Sequence, residues 1–233
     1  WIFGNFSGLS QDAKAYFLKN EKYSVLEYDY KFCRYRNPSL HEFDSGKCDC
    51  ESNFEAKLNS LFILKASSAW WMSQGQKEIH EEKFPFLKEA NSTILSSIFS
   101  DETISKLESL DTSNKNSKWI LLNSPSAVKG TDASIRYAKS KNLDYELVWG
   151  LDYDEMLTKL ATSKGLLFLP AGEDTCPRIV IEAKLLDCEL LMNDKVQHQK
   201  EEWFKTKEST LAYIKSRPEV FWKEIKKNVQ DSF

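Results

Sequence analysis

The stretch GLLFLPAGEDTCPRIVIEAKLLDCELLMN, residues 165–193, constrains the fold more than any other part of the chain. It reads as an apolar strand, a polar loop, an apolar helix and a second apolar strand, the order of a parallel β-α-β unit. Its loop carries Glu173 and Asp174, and its helix carries Glu182. Acidic side chains gain nothing from packing at the C-terminal end of a buried strand. In open α/β sheets that crevice is where ligands bind. Seven residues separate Asp174 from Glu182, about two helical turns. The neighbours of Glu182, namely Ile179, Val180, Ile181, Ala183 and Leu185, argue against its full exposure.

The same alternation runs through the second half. KWILLN (118–123), YELVWG (145–150), GLLFLP (165–170) and CELLMN (188–193) read as strands. Helices are expected through Ile135 and Ala138 to Lys141, over 153–163 and over 178–187. The segment 195–229 reads as helical with an interruption at Pro218. In the first half, WIFG (1–4), YSVLEYDY (23–30), SLFILKA (60–66) and STILSSIF (92–99) read as strands. Residues 11–20, 69–83 and 101–110 read as helices, the last with Asp101 as its N-cap. The polar run LDTSNKNSK at 110–118 is the linker candidate. The expected fold is α/β, with two Rossmann-like domains spanning 1–112 and 113–233. Each is expected to hold a parallel sheet with right-handed crossovers, and a cleft is expected between them.

Charge and cysteines narrow the function. Against 32 basic residues stand 35 acidic ones, so no global basic field argues for nucleic acid. No apolar run approaches the ~20 residues of a membrane span. Five cysteines, an odd number, and a good apolar supply make a disulfide framework unnecessary, so a cytoplasmic setting is the simplest expectation. The triplets beginning at Asn5 and Asn91 match glycosylation acceptors, a pattern common by chance. The sequence begins at Trp1, and a place within a larger multidomain chain is one expectation. Cys33, His41, Cys48 and Cys50 lie in one short polar segment and have the composition of a tetrahedral Cys3His zinc site. Unrelated reduced thiols are the alternative. Trp70 and Trp71 read as the start of a helix, one of them a candidate sugar-stacking platform. His80 and His198 are weak candidates for a base.

The second half resembles the nucleotide-binding half of the two-domain GT-B glycosyltransferases, most closely the retaining family 4 type. The loop SAVKG, with Lys129 and Gly130, is similar to the family's basic loop after the first strand of that half. YELVWG is similar to the next strand. EDTCPRIVIEAKLLDCELLMN is similar to the acidic signature, with Asp174 in register for the first acid and Glu173 beside it. An arginine usual shortly before the lysine is absent; Ser124 stands near that position, and Arg178 is the candidate for the missing charge. The likeness covers residues 118–205.

The resemblance implies sugar transfer from a UDP- or GDP-linked donor to a glycan or other acceptor, with retention. Negative charge then builds on the leaving diphosphate and must be neutralised. Lys129 would act as a mobile point charge on it. Backbone N–H groups around Thr175 and Cys176, where the helix begins, would add the positive helix end. The resemblance gives Glu182 the ribose hydroxyls, and Asp174 with Glu173 the donor sugar. No metal or other cofactor is then required for transfer. The alternative is a non-catalytic nucleotide-sugar or carbohydrate-binding module. A sugar-nucleotide epimerase related by fold is a further rival, but WIFGNFSGLS is a poor match to a Gly-rich dinucleotide turn.

Overall fold

A computed structural model describes residues 1–230 and divides into two compact units. One comprises Trp1–Ser96 and the residues from Arg217 onward; the other is Ser97–Ser216.

In the first unit a four-stranded parallel sheet has the order β1-β2-β3-β4. Its elements run β1 (Ile2–Phe3), α1 (Gln11–Asn20), β2 (Ser24–Glu27), α2 (Pro38–Ser45), α3 (Phe54–Leu64), β3 (Ser68–Trp71), α4 (Gln74–Lys83) and β4 (Ser92–Ile94). Local chemistry sets the helix starts. Ser10, Asn37 and Ser73 each accept a backbone N–H bond from three residues on, and Pro38 occupies the first turn of α2. Aromatic rings dominate the core: Tyr23 stacks on Phe62 at 4.3 Å, with Phe3 and Phe17 edge-on around them.

Two readings of this unit are corrected. SLFILKA is not a strand; its first five residues close α3. Residues 69–83 are not one helix, because Ser68–Trp71 forms β3 and the helix starts only at Gln74. Apolar runs of this length fit a buried strand or a buried helix equally, so periodicity could not separate them. Within β3 the two tryptophans point to opposite faces of a sheet covered on both sides. Trp71 packs against His80, while Trp70 packs on Phe221 and donates its indole N–H to Glu224 at 2.8 Å. Both are fully buried, so neither is a sugar platform. The strand expected over 92–99 stops at Ile94, since Ser96 adopts a left-handed φ of 62°.

The second unit holds a parallel sheet of order β6-β5-β7-β8. After α5 (Asp101–Ser109) come β5 (Trp119–Leu122), α6 (Thr131–Ser140), β6 (Tyr145–Val148), α7 (Tyr153–Thr162), β7 (Gly165–Phe168), α8 (Arg178–Leu185) and β8 (Glu189–Met192). Here the strands fall where the apolar runs place them. α5 is capped by Ser100 rather than Asp101, its hydroxyl accepting from Thr103 N–H at 3.2 Å. α7 opens on a full capping box between Asp152 and Glu155. The 110–118 segment is tied down by Lys115, which donates to the Leu160 and Leu186 carbonyls at 3.0 and 2.5 Å.

α9 (Lys207–Gln230) continues through Pro218, where an interruption was expected. Proline costs a helix interior about 3 kcal/mol. Here burial of Thr210 and Ile214 before it, and of Trp70 beneath Phe221 after it, holds the helix on. Among the described residues no helix is long and apolar enough to cross a membrane.

His80 and His198 are fully buried, which removes both as bases. Burial lowers their pKa to about 4 and about 3. His198 stacks on Trp203 with an interplanar angle of 14°, and neither ring nitrogen has a hydrogen-bond partner among the described residues. A depressed folded-state pKa means the unfolded chain takes the proton first as pH falls below about 6.5. The stability from neutral His198 is therefore full above that pH and lost toward the folded value. Urea unfolding from pH 6.5 to 4 should show His198→Phe with a shallower pH slope than the parent, by up to about 1.4 kcal/mol per pH unit. Parallel slopes would contradict a neutral buried imidazole.

Candidate functional site

The chain passes from β5 to β6 on one side and then returns to place β7 on the other side of β5. That reversal makes a topological switch point, and the crevice there lies outside the carboxyl ends of β5 and β7. The first unit's sheet, wound in the single direction β1-β2-β3-β4, has no such reversal. The sheet order thus singles out the loops 123–130 and 169–177.

These are the loops carrying Lys129, Glu173 and Asp174, and they meet. Lys129 Nζ lies 2.7 Å from Asp174 Oδ2 and 5.7 Å from the Phe168 ring centre. Glu173 is paired separately, with Lys195 Nζ at 3.0 Å. In both pairs the carboxylate is the more shielded partner, at 12% and 10% exposure against 34% for each lysine. Asp174 is held by its own backbone: its N–H donates to the Lys195 carbonyl at 2.9 Å and its carbonyl accepts from Gln197 at 3.1 Å. Neither acid caps α8, whose N-cap is Pro177 with no side-chain bond.

Gly130 lets the loops approach. Its φ is 64°, and a Cβ built there would fall 1.8 Å from the Leu169 carbonyl oxygen. Thr131 completes the turn, its hydroxyl donating to the Leu122 carbonyl at 2.8 Å and accepting from Ser124 N–H at 3.1 Å. Ser124 is thereby fixed at the end of β5, its own hydroxyl accepting from Ser126 N–H.

Thr175 and Cys176 are buried just ahead of α8. Ser97 donates to the Cys176 carbonyl at 3.2 Å, and burial pushes the Cys176 thiol up to about 12, so it stays neutral. Arg178 lays its guanidinium over Phe99 at 4.3 Å and donates to the Ile98 carbonyl at 3.4 Å, with half of its side chain exposed. Glu182 is buried; Tyr153 donates its phenol to Oε1 at 2.9 Å and Arg178 Nε stands 3.6 Å away. Burial raises the Glu182 pKa, and the Tyr153 bond and the Arg178 charge oppose that rise. Burial, with the Glu182 charge, pushes Tyr153 up to about 12, which keeps it a donor.

Tyr153 and Lys195 were not among the residues singled out from sequence. Both lie just beyond strand ends, Tyr153 after β6 and Lys195 after β8, so the strand-end rule applied to Asp174 would have found them.

No protein-family model matches the chain, and no curated protein matches it in sequence. Solved structures do. The crystal structure of the GtfA/B complex aligns at 12% identity with a TM-score of 0.51, over 92% of this chain and 48% of that one. The N-terminal domain of Candida albicans trehalose-6-phosphate phosphatase aligns at 9% identity and 0.51, over 94% and 75%. This chain spans about half the length of the GtfA/B chain it matches. At such identities the likeness concerns the fold alone.

The Gly130 contact yields a graded expectation. Gly130→Ala meets both the left-handed backbone and the Leu169 carbonyl, and should lose at least about 1–3 kcal/mol. Gly46→Ala, at a φ of 79° with open space around it, should lose only the backbone part, about 1 kcal/mol. Equal losses in urea melts would mean the close approach carries no weight.

Proposed function

We propose that the chain is a glycosyltransferase that takes its sugar from a nucleoside diphosphate donor, with the donor seated on the second unit. The observation that carries the reading is the meeting of Lys129 and Asp174 at the switch point of that unit's sheet. A cation, a carboxylate and a helix start converge there on elements that pack tightly. In this reading the donor's diphosphate displaces Asp174 from Lys129 and takes the ammonium for itself. The first-turn N–H groups of α8, behind Thr175 and Cys176, add the helix-end field. Charge developing on the leaving diphosphate then meets a preorganised cation, with no magnesium needed. Asp174, once released, and Glu173 accept hydrogen bonds from the sugar. Glu182, about one turn along α8 and braced by Tyr153 and Arg178, accepts from the ribose hydroxyls. A GT-B pairing of the two units, the retaining outcome and a glycan acceptor on the first unit belong to the same proposal.

Calorimetry in buffer without magnesium or manganese should show uridine or guanosine diphosphate binding. An absolute requirement for either ion would point to another class of transferase. Donor turnover to a glycoside product tests catalysis itself, and binding without turnover would assign a binding module instead.

Two substitutions divide the donor. Glu182→Gln keeps the shape but loses a charge-assisted bond of roughly 1.5–3 kcal/mol. It should weaken nucleoside diphosphate and nucleotide sugar alike, by about 10- to 150-fold. Asp174→Asn removes the resting partner of Lys129, so the bare diphosphate should bind as well or better while the nucleotide sugar loses affinity or turnover. If the two variants shift both ligands equally, the division of roles is wrong.

A further inference from the structure

We propose that Cys33, His41, Cys48 and Cys50 bind one structural zinc ion that shapes the segment between β2 and α3. All four are buried, and their candidate ligand atoms lie within 4.8 Å of one another. The spacings match a single ion. Tetrahedral zinc with S at about 2.3 Å and N at about 2.0–2.1 Å puts two sulfurs about 3.8 Å apart and a sulfur about 3.5 Å from a nitrogen. Here Cys33 Sγ and Cys48 Sγ are 3.7 Å apart, and His41 Nδ1 lies 3.5 Å from Cys33 Sγ and 3.4 Å from Cys50 Sγ. A disulfide would need about 2.05 Å between sulfurs. A multi-iron cluster would need its ligands spread more widely than this.

Burial raises the Cys33 and Cys48 thiols, and backbone hydrogen bonds from Tyr35 and Asn37 to Cys33 and from Cys50 to Cys48 oppose that rise. Such outer bonds fix and tune metal-bound sulfur. The His41 ring is set by stacking on Tyr35 at 4.7 Å with an angle of 12°. Three sulfurs and one imidazole nitrogen favour zinc over hard, oxygen-seeking cations. Four protein ligands close the coordination sphere, so the ion is structural and carries no substrate.

The segment needs such a centre. Between β2 and α3 only α2 and one short 3-10 turn (Cys50–Ser52) are regular, and Gly46 ends α2 in a left-handed turn that returns the chain to Cys48. The ion ties the loop before α2, α2 itself and the loop after it to one point. It also backs one wall of a cavity of roughly 470 Å³, to which Cys33 and Cys50 contribute beside Lys31, Arg34 and Arg36.

Metal analysis of the full chain, purified without chelator, should find about one zinc per chain. Cys48→Ser and Cys50→Ser should lose it, and Cys188→Ser, outside the cluster, should keep it. Should the cluster variants fail to fold, the parent protein still decides. Titration with a mercurial thiol reagent should release zinc in step with three thiols, and cobalt substitution should give thiolate charge-transfer and tetrahedral d–d bands. Removal of the ion should lower the melting midpoint. Folded parent protein without zinc, one iron per chain instead, or zinc retained in Cys48→Ser would each overturn the assignment.

Discussion

The contact between the Gly130 backbone and the Leu169 carbonyl is what the candidate site rests on. It presses the loop after β5 onto the loop after β7, where the strand order of that sheet reverses. Any side chain at 130 would wedge these loops apart by more than an ångström. The 2.7 Å meeting of Lys129 and Asp174 depends on that approach, as does the Ala171 N–H bond to the Val128 carbonyl at 2.9 Å. A single backbone-to-backbone approach therefore converts two separate loops into one chemical environment. The lysine it delivers is partly exposed and the acids are sheltered, an order that leaves the cation open to an incoming anion.

The second unit was legible because each strand is a mostly apolar run of four residues bounded by polar segments. The signature 165–193 folds as its pattern implies, down to the β7-loop-α8-β8 order. Its electrostatic pairing was not legible. Nothing in the spacing says that Asp174 rests on Lys129 while Glu173 rests on Lys195, because the first pairing needs the close approach at Gly130 and the second needs the bridge between Asp174 and Val196, both of them contacts between segments distant in sequence.

The first unit was harder for a definite reason. SLFILKA and SAWWM are both short apolar runs, one ending a helix and one forming a central strand, and runs this short carry too little period to separate the two states. The tryptophan pair misled in the same way: side chains buried on both faces of a sheet look, in sequence, like an exposed aromatic patch. The Cys/His segment was the opposite case. Its polarity hid its burial, and only the turn after Gly46 brings Cys48 and Cys50 back to Cys33 and His41.

The margins of the two sheets carry a further meaning. A free strand edge is a template on which another chain can add itself. The first sheet ends in strands of two and three residues, β1 and β4, too short to offer a ladder. The second ends in four-residue strands whose flanks are charged: Glu146 on β6 is bound to Lys159 and Lys118, and Glu189 on β8 stands 3.9 Å from Lys164. A newcomer strand would have to strip those ions of water and partners before its first hydrogen bond. The margins of both sheets are thus either very short or flanked by charge, and each of these features opposes the addition of a further strand.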